Sequence, residues 1–177
     1  HPASISSACF GIAGPVINGR CKTTNLPWVV SERALQRRFH WRHVRLLNDL
    51  AATALAIPLL RRSERLSLSQ GNMQKKGTIA LMSPGTGLGQ AILAYQGGEY
   101  VPLASEGGHV SFSPTTEAEI DLWRRLRKTF GHVSMERVLS GPGLVNIYSW
   151  LRDSGRFEEP GWLKTLLKQG DPAKVIS

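Results

Sequence analysis

The chain has 177 residues, 22 Lys and Arg against 13 Asp and Glu, a formal charge of +9, and 41% hydrophobic with 20% charged residues. This balance excludes a disordered polypeptide, and the length suffices to bury a core as one domain or two small lobes. No apolar run approaches the roughly 20 residues that cross a bilayer; the longest, Leu50 to Leu60, is short and contains Pro58.

No basic region followed by an apolar stretch opens the chain, so no secretion signal is visible and no membrane partner is expected. Two cysteines, Cys9 and Cys21, are too few for a disulfide framework or a four-ligand zinc site. They fit a reducing, cytoplasmic setting. The arginines from Arg33 to Arg65 and from Arg124 to Arg127 have no interleaved aromatic pattern and no nucleic-acid signature. They read as solvated helix faces, with no nucleic-acid partner. The start at His1 and the close in DPAKVIS both read as cuts through a larger fold.

In chain order, ACFGIAG predicts a short buried strand ending in a Gly-Pro turn. VINGRCKTTN predicts a hairpin, because Asn18-Gly19 suits a two-residue type I′ turn. Ser31 is a candidate N-cap for a helix through Phe39, with Ala34, Leu35 and Phe39 on one side. HVRLLND predicts a strand that yields at Asp49 to the helix LAATALA, which Pro58 ends. The polar stretch from Arg61 to Lys76 marks a lobe boundary, giving lobes over residues 1–60 and 61–177.

TIALMS and LGQAILAY predict two strands around the loop PGTG, and Gln96-Gly97-Gly98 turns the chain again. VPLASEGGHVSF leads through a glycine-rich loop into another strand. Thr115 or Thr116 caps a helix through Phe130 whose inner face is Ile120, Trp123 and Leu126. Ser134 can cap a short helix to Leu139, and Pro142 suits the first turn of a helix reaching Asp153. The class is mixed α/β.

Four groups could do chemistry. Asn48-Asp49 places a carboxylate at the C-terminal end of a strand, where open α/β folds bind ligands; a plain helix cap is the structural alternative. Ser83 to Gly89, with glycines at 85, 87 and 89, could turn backbone N–H groups and the Thr86 hydroxyl toward an anion. It is neither a Walker A nor a dinucleotide fingerprint, and a tight hairpin explains it equally well. Glu106-Gly107-Gly108-His109 offers a carboxylate and an imidazole suited to vicinal sugar hydroxyls. As a metal site this pair lacks a third ligand, so no metal is expected. Glu136 lies in the first turn after Ser134, where the helix dipole alone would justify a carboxylate.

The order of GPVINGR…TNLPW, LLNDLAATALAIP, GTGLG, EGGHVSF and GHVSMERVLSGPGLVNIY resembles the bacterial-type glucokinase family of the hexokinase–actin superfamily, over nearly the whole chain. The resemblance implies an actin-like, ribonuclease H-like two-lobe sugar kinase fold, here incomplete. It would lack the N-terminal Asp-x-Gly-Gly-Thr phosphate loop and the C-terminal adenosine segment. It implies ATP-dependent phosphorylation of glucose at the 6-hydroxyl, with Mg²⁺ bound through ATP, and a homodimer in the full-length protein. Asp49 would be the catalytic base. Asn48, Glu106, His109, Glu136 and Asn25 would grip glucose, and Gly85, Thr86 and Gly87 would contact ATP phosphates. The carboxylates and imidazole would converge on one hexose-sized hollow, with Asp49 close to a hinge. The competing reading is a sugar-binding or sugar-sensing module without kinase activity.

Overall fold

A computed structural model describes residues 5–23, 26–72 and 74–177. The chain forms two compact units, one of residues 1–81 and 91–104, the other of residues 82–90 and 105–177. The expected division near residue 60 differs from this grouping. Ala54 of the helix before Pro58 is fully buried against Ala91 and Leu93, with Leu50, Leu55, Ile79, Leu81 and Tyr100 around them. This apolar cluster holds residues 79–81 and 91–96 of the hairpin in the first unit, whereas its glycine loop belongs to the second.

In the first unit, β1 (Ser7–Ile12) pairs in parallel with β5 (His43–Asn48), from Ser7 opposite His43 to Ile12 opposite Asn48. The strand read from ACFGIAG forms at 7–12 but is not buried: four of its six residues are exposed, and Ala8 and Ile12 are half-buried, because among the described residues β1 pairs with β5 alone. A second sheet has β2 (Val16–Ile17), β3 (Arg20–Lys22) and β4 (Val29–Ser31) in antiparallel order. Asn18 and Gly19 have φ of 51° and 70°, the signature of the type I′ turn read from the sequence.

Helix α1 (Glu32–Phe39) follows Ser31 as predicted, although the serine side chain makes no cap hydrogen bond and the helix has no buried residue. Glu32 is instead the anchoring group: its Oε1 accepts from the Leu46 N–H of β5 at 2.7 Å. That satisfies a strand-edge amide that would otherwise be orphaned. The helix ends at His40 in the left-handed region, and Phe39 stacks on Trp41. Helix α2 (Asp49–Ala56) ends ahead of a 3₁₀ turn containing Pro58. It packs over β1 so closely that a Cβ on Gly11 would lie 3.3 Å from the Ala52 Cβ.

Strands β6 (Ile79–Pro84), β7 (Leu88–Gln96) and β8 (Glu99–Ser105) form a sheet in that order. In the second unit, residues 107–109 form a 3₁₀ turn. The strand expected at HVSF shrinks to one antiparallel bridge, Ser111 with Ser134, held by Phe112 N–H to Val133 O at 2.8 Å and Met135 N–H to Val110 O at 2.9 Å.

Helix α3 (Glu117–Phe130) starts with a capping box between Thr116 and Glu119. Its buried residues are Leu122 and Leu126, with Trp123 packed against them; Trp123 and Leu126 of the expected inner face lie in this cluster, and Leu122, one turn before Leu126, takes the place expected for Ile120. Helix α4 (Gly141–Asp153) is capped by Ser140, whose Oγ accepts from Gly143 N–H at 3.0 Å. Helices α5 (Gly161–Gln169) and α6 (Pro172–Ile176) complete the unit.

Hydrogen bonds led by the Thr115 N–H hold the Glu119 carboxyl below its ordinary pKa. A depressed carboxyl stabilises the fold above its unfolded pKa and loses that contribution as pH falls through the folded value. Thr116→Ala should cost about 1 kcal/mol, and Glu119→Gln, which removes the depressed carboxyl, should lower the melting temperature at neutral pH by an amount that shrinks in acid; a deficit independent of pH would assign the Glu119 contribution to packing. Gly108 is buried, and a Cβ there would lie 2.1 Å from the Leu88 carbonyl oxygen. Gly108→Ala should therefore destabilise by about 1–3 kcal/mol, and an unchanged melting temperature would refute that close approach.

Candidate functional site

Asp49 is not the helix cap that one reading of the sequence allowed. Asn48 takes that place: its Oδ1 accepts from Leu50 N–H at 3.0 Å and from Ala51 N–H at 3.2 Å. Asparagine is among the best N-cap residues because its carbonyl reaches the orphan amides of the first turn. The amide nitrogen of Asn48 donates to the Gly14 carbonyl at 3.3 Å and to Asp49 Oδ1 at 2.9 Å. Both donors and both acceptor positions of this side chain are thereby occupied within the chain.

Asp49 is the first helical residue and is exposed. Its Oδ1 accepts from Leu50 N–H at 2.9 Å in addition to Asn48, whereas Oδ2 has no hydrogen-bond partner among the described residues. One oxygen is oriented and the other is open. The carboxylate lies just beyond the C-terminal ends of two parallel strands, the usual ligand edge of such sheets, and at a helix N-terminus that favours its charged form.

In the second unit the predicted phosphate-contacting loop is a tight turn. Gly85 N–H donates to Gly87 O at 2.8 Å across Thr86, which is exposed at the tip. A Cβ on Gly85 would meet nothing within 4 Å, so bare backbone borders open space there. This fits a phosphate-contacting loop, which needs close backbone approach.

Glu136 belongs to a 3₁₀ turn rather than a regular helix, and Ser134 makes no side-chain cap bond there. The Glu136 Oε2 accepts from Leu88 N–H at 2.9 Å, the first amide after the loop. Ser140 Oγ donates to the Glu136 carbonyl at 2.7 Å, and Gly141 N–H donates to the Gly85 carbonyl at 2.8 Å. Residues 136–141 thus hold both ends of the loop. Ser140 and Gly141 carry no ionisable group and were not among the candidate residues read from the sequence. The phase of a cap residue three before a glycine amide is the signal that points to Ser140.

Glu106 and His109 are brought together across the Gly107-Gly108 turn, with Nε2 3.7 Å from Oε2. Their side chains are 89% and 64% exposed, free to meet hydroxyls. Asn25 lies outside the described residues. Among the described residues, no group of three His, Cys, Asp or Glu side chains could hold a metal, and no helix is long and apolar enough to cross a membrane.

A hollow of about 790 Å³ in the second unit, lined by Trp123, Arg124, Lys128 and Trp150 among others, contains none of these residues. Two of its four cations have partners within the chain: Arg127 lies over the Trp123 ring and Arg125 pairs with Asp153.

A glucokinase from Tolumonas auensis is 40% identical over 149 residues, covering 84% of this chain and 46% of that protein. One from Nostoc sp. is 42% identical over 154 residues, covering 86% and 45%. The chain spans about half the length of the curated relatives it matches. The crystal structure of a glucokinase from an Antarctic psychrotroph superposes with a TM-score of 0.77 at 30% identity, over 95% of this chain and 54% of that one. A glucokinase from Balamuthia mandrillaris, solved in complex with glucose, shares the fold at a TM-score of 0.64 and 22% identity, over 96% and 51%. The family model described as glucokinase matches residues 1–177 without a break, so the chain belongs to the glucokinase family.

Proposed function

We propose that the protein carrying this chain phosphorylates the 6-hydroxyl of glucose with ATP and Mg²⁺, and that Asp49 is the base. The carrying observation is the asymmetry of Asp49: Oδ1 is fixed by the Leu50 amide and the Asn48 side chain, and Oδ2 remains open. A base must be aimed but not consumed by its own supports. Oδ2 accepts the hydroxyl proton as that oxygen becomes a nucleophile.

Glu106, His109 and the free oxygen of Glu136 are the hydroxyl partners. A carboxylate accepts from two or more hydroxyls and an imidazole can donate or accept. Asn48 contributes by holding Asp49; to bond sugar directly it must exchange one of its existing partners. Gly85, Thr86 and Gly87 lie against the donor's phosphates, presenting backbone rather than charge. When bound, ATP with Mg²⁺ supplies the transferable phosphoryl group and most of the charge neutralisation. The chain's own work is positioning.

A coupled assay on the complete reading frame that carries this chain should show ADP release dependent on both glucose and ATP. Glucose binding without turnover would instead identify a sugar-sensing module. Asp49→Asn should lower kcat by about 10²-fold or more while KM for glucose moves by less than about 3-fold; full retained turnover would remove Asp49 from the mechanism. Glu106→Ala and His109→Ala should each raise KM for glucose by about tenfold or more, as loss of a hydrogen bond to a charged or polar group predicts. Unchanged KM values in both would move the sugar site elsewhere.

A further inference from the structure

We propose that Glu136 is a positioning residue for the phosphate loop as well as a sugar partner, so that one carboxylate links recognition of acceptor and donor. The inference rests on the kinase reading above and adds a role at the loop itself.

Oε2 of Glu136 accepts from the Leu88 amide at 2.9 Å. A Cβ on Gly87 would lie 2.6 Å from the same oxygen, so the carboxylate is pressed against the loop's closing residue, and any side chain at 87 would displace it. Leu88 is buried, and the backbone of Gly108 closes on its carbonyl from 3₁₀ turn 107–109. The amide of Leu88 therefore has the Glu136 carboxylate as its anchor in a place shielded from bulk water.

The other end of the loop is fastened from the same segment, by Gly141 N–H on the Gly85 carbonyl, with Ser140 bonded to the Glu136 carbonyl between them. Six consecutive residues thus set the span from Gly85 to Leu88. A carboxylate has about four acceptor positions, and Oε1 has no partner among the described residues. A sugar hydroxyl can take Oε1 while Oε2 keeps the amide. A displacement of the carboxylate caused by one ligand then moves the loop that meets the other. By linkage, each ligand changes the affinity for the other by the same factor.

The discriminating measurement is donor binding in the absence of sugar. In the complete protein, titration with Mg²⁺-ATP alone should give a Kd about tenfold weaker for Glu136→Ala than for wild type, the loss of one charge-assisted hydrogen bond. Exchange of the Leu88 amide should accelerate by a similar factor or more. Glu136→Gln, whose amide oxygen can still accept from Leu88, should hold both values within about 3-fold of wild type. Glu136→Asp keeps the charge but is one methylene shorter, and should behave like the alanine variant at the loop even if alanine fails to fold.

A sugar-only role predicts weakened glucose binding in these variants with donor affinity and Leu88 exchange at wild-type values, and that result overturns the proposal. If wild-type protein binds ATP and anchors Leu88 through Glu136 yet transfers no phosphoryl group to glucose, the kinase reading fails and the anchor stands.

Discussion

A backbone loop without side chains can meet a phosphate closely, but nothing in its own composition holds it still. In this chain the stiffness of Gly85-Thr86-Gly87 is supplied from outside by residues 136–141, through the Leu88 amide on Glu136 and the Gly141 amide on the Gly85 carbonyl. The arrangement leaves the face of Gly85 open while removing freedom from both ends. A loop tied in this way loses less conformational entropy when it receives an anion. The glycines at 87 and 108 follow from the same constraint, since each marks a place where another group occupies the volume of a Cβ.

The first unit solves a related problem for a carboxylate. An aspartate at a helix start would ordinarily spend an oxygen on the orphan amides of the first turn. Asn48 serves both the Leu50 and Ala51 amides, so that Asp49 shares only the Leu50 amide through Oδ1, and it donates to Asp49 at the same time. Its remaining donor reaches Gly14, just past β1, and fastens the end of β5 to the end of its parallel neighbour. Helix capping, strand registration and orientation of the carboxylate thus depend on one amide group. That dependence gives Asn48 a structural reason for its place beside Asp49.

Much of this was legible from residues alone. The type I′ hairpin at Asn18-Gly19, the Thr116 cap and the end of α2 before Pro58 all depend on neighbours within four positions. The readings that needed revision depend on distant partners. Strand 7–12 was expected to be buried, but burial is set by what covers a strand and not by its own apolar residues. On the inner face of α3, Trp123 and Leu126 were read correctly but Leu122 stands where Ile120 was expected, because the Val133 side chain that packs on Leu122 and Leu126 comes from the following segment. The expected strand at HVSF is a single bridge, since its partner supplies only Ser134 with flanking amides.

The chemical inventory of this protein was determined by its sequence: an Asn-Asp pair at a strand end, a glycine loop, a Glu-Gly-Gly-His turn and a carboxylate ahead of a helix with proline in its first turn. Only the tertiary structure decided which of these groups touch. Glu136 and Leu88 are 48 residues apart, and Asn48 and the Gly14 carbonyl 34 apart. Hydrogen bonds of this kind require atoms within about 3 Å, and over such separations that distance is set by the packed path of the chain, to which local residue preferences give no measure.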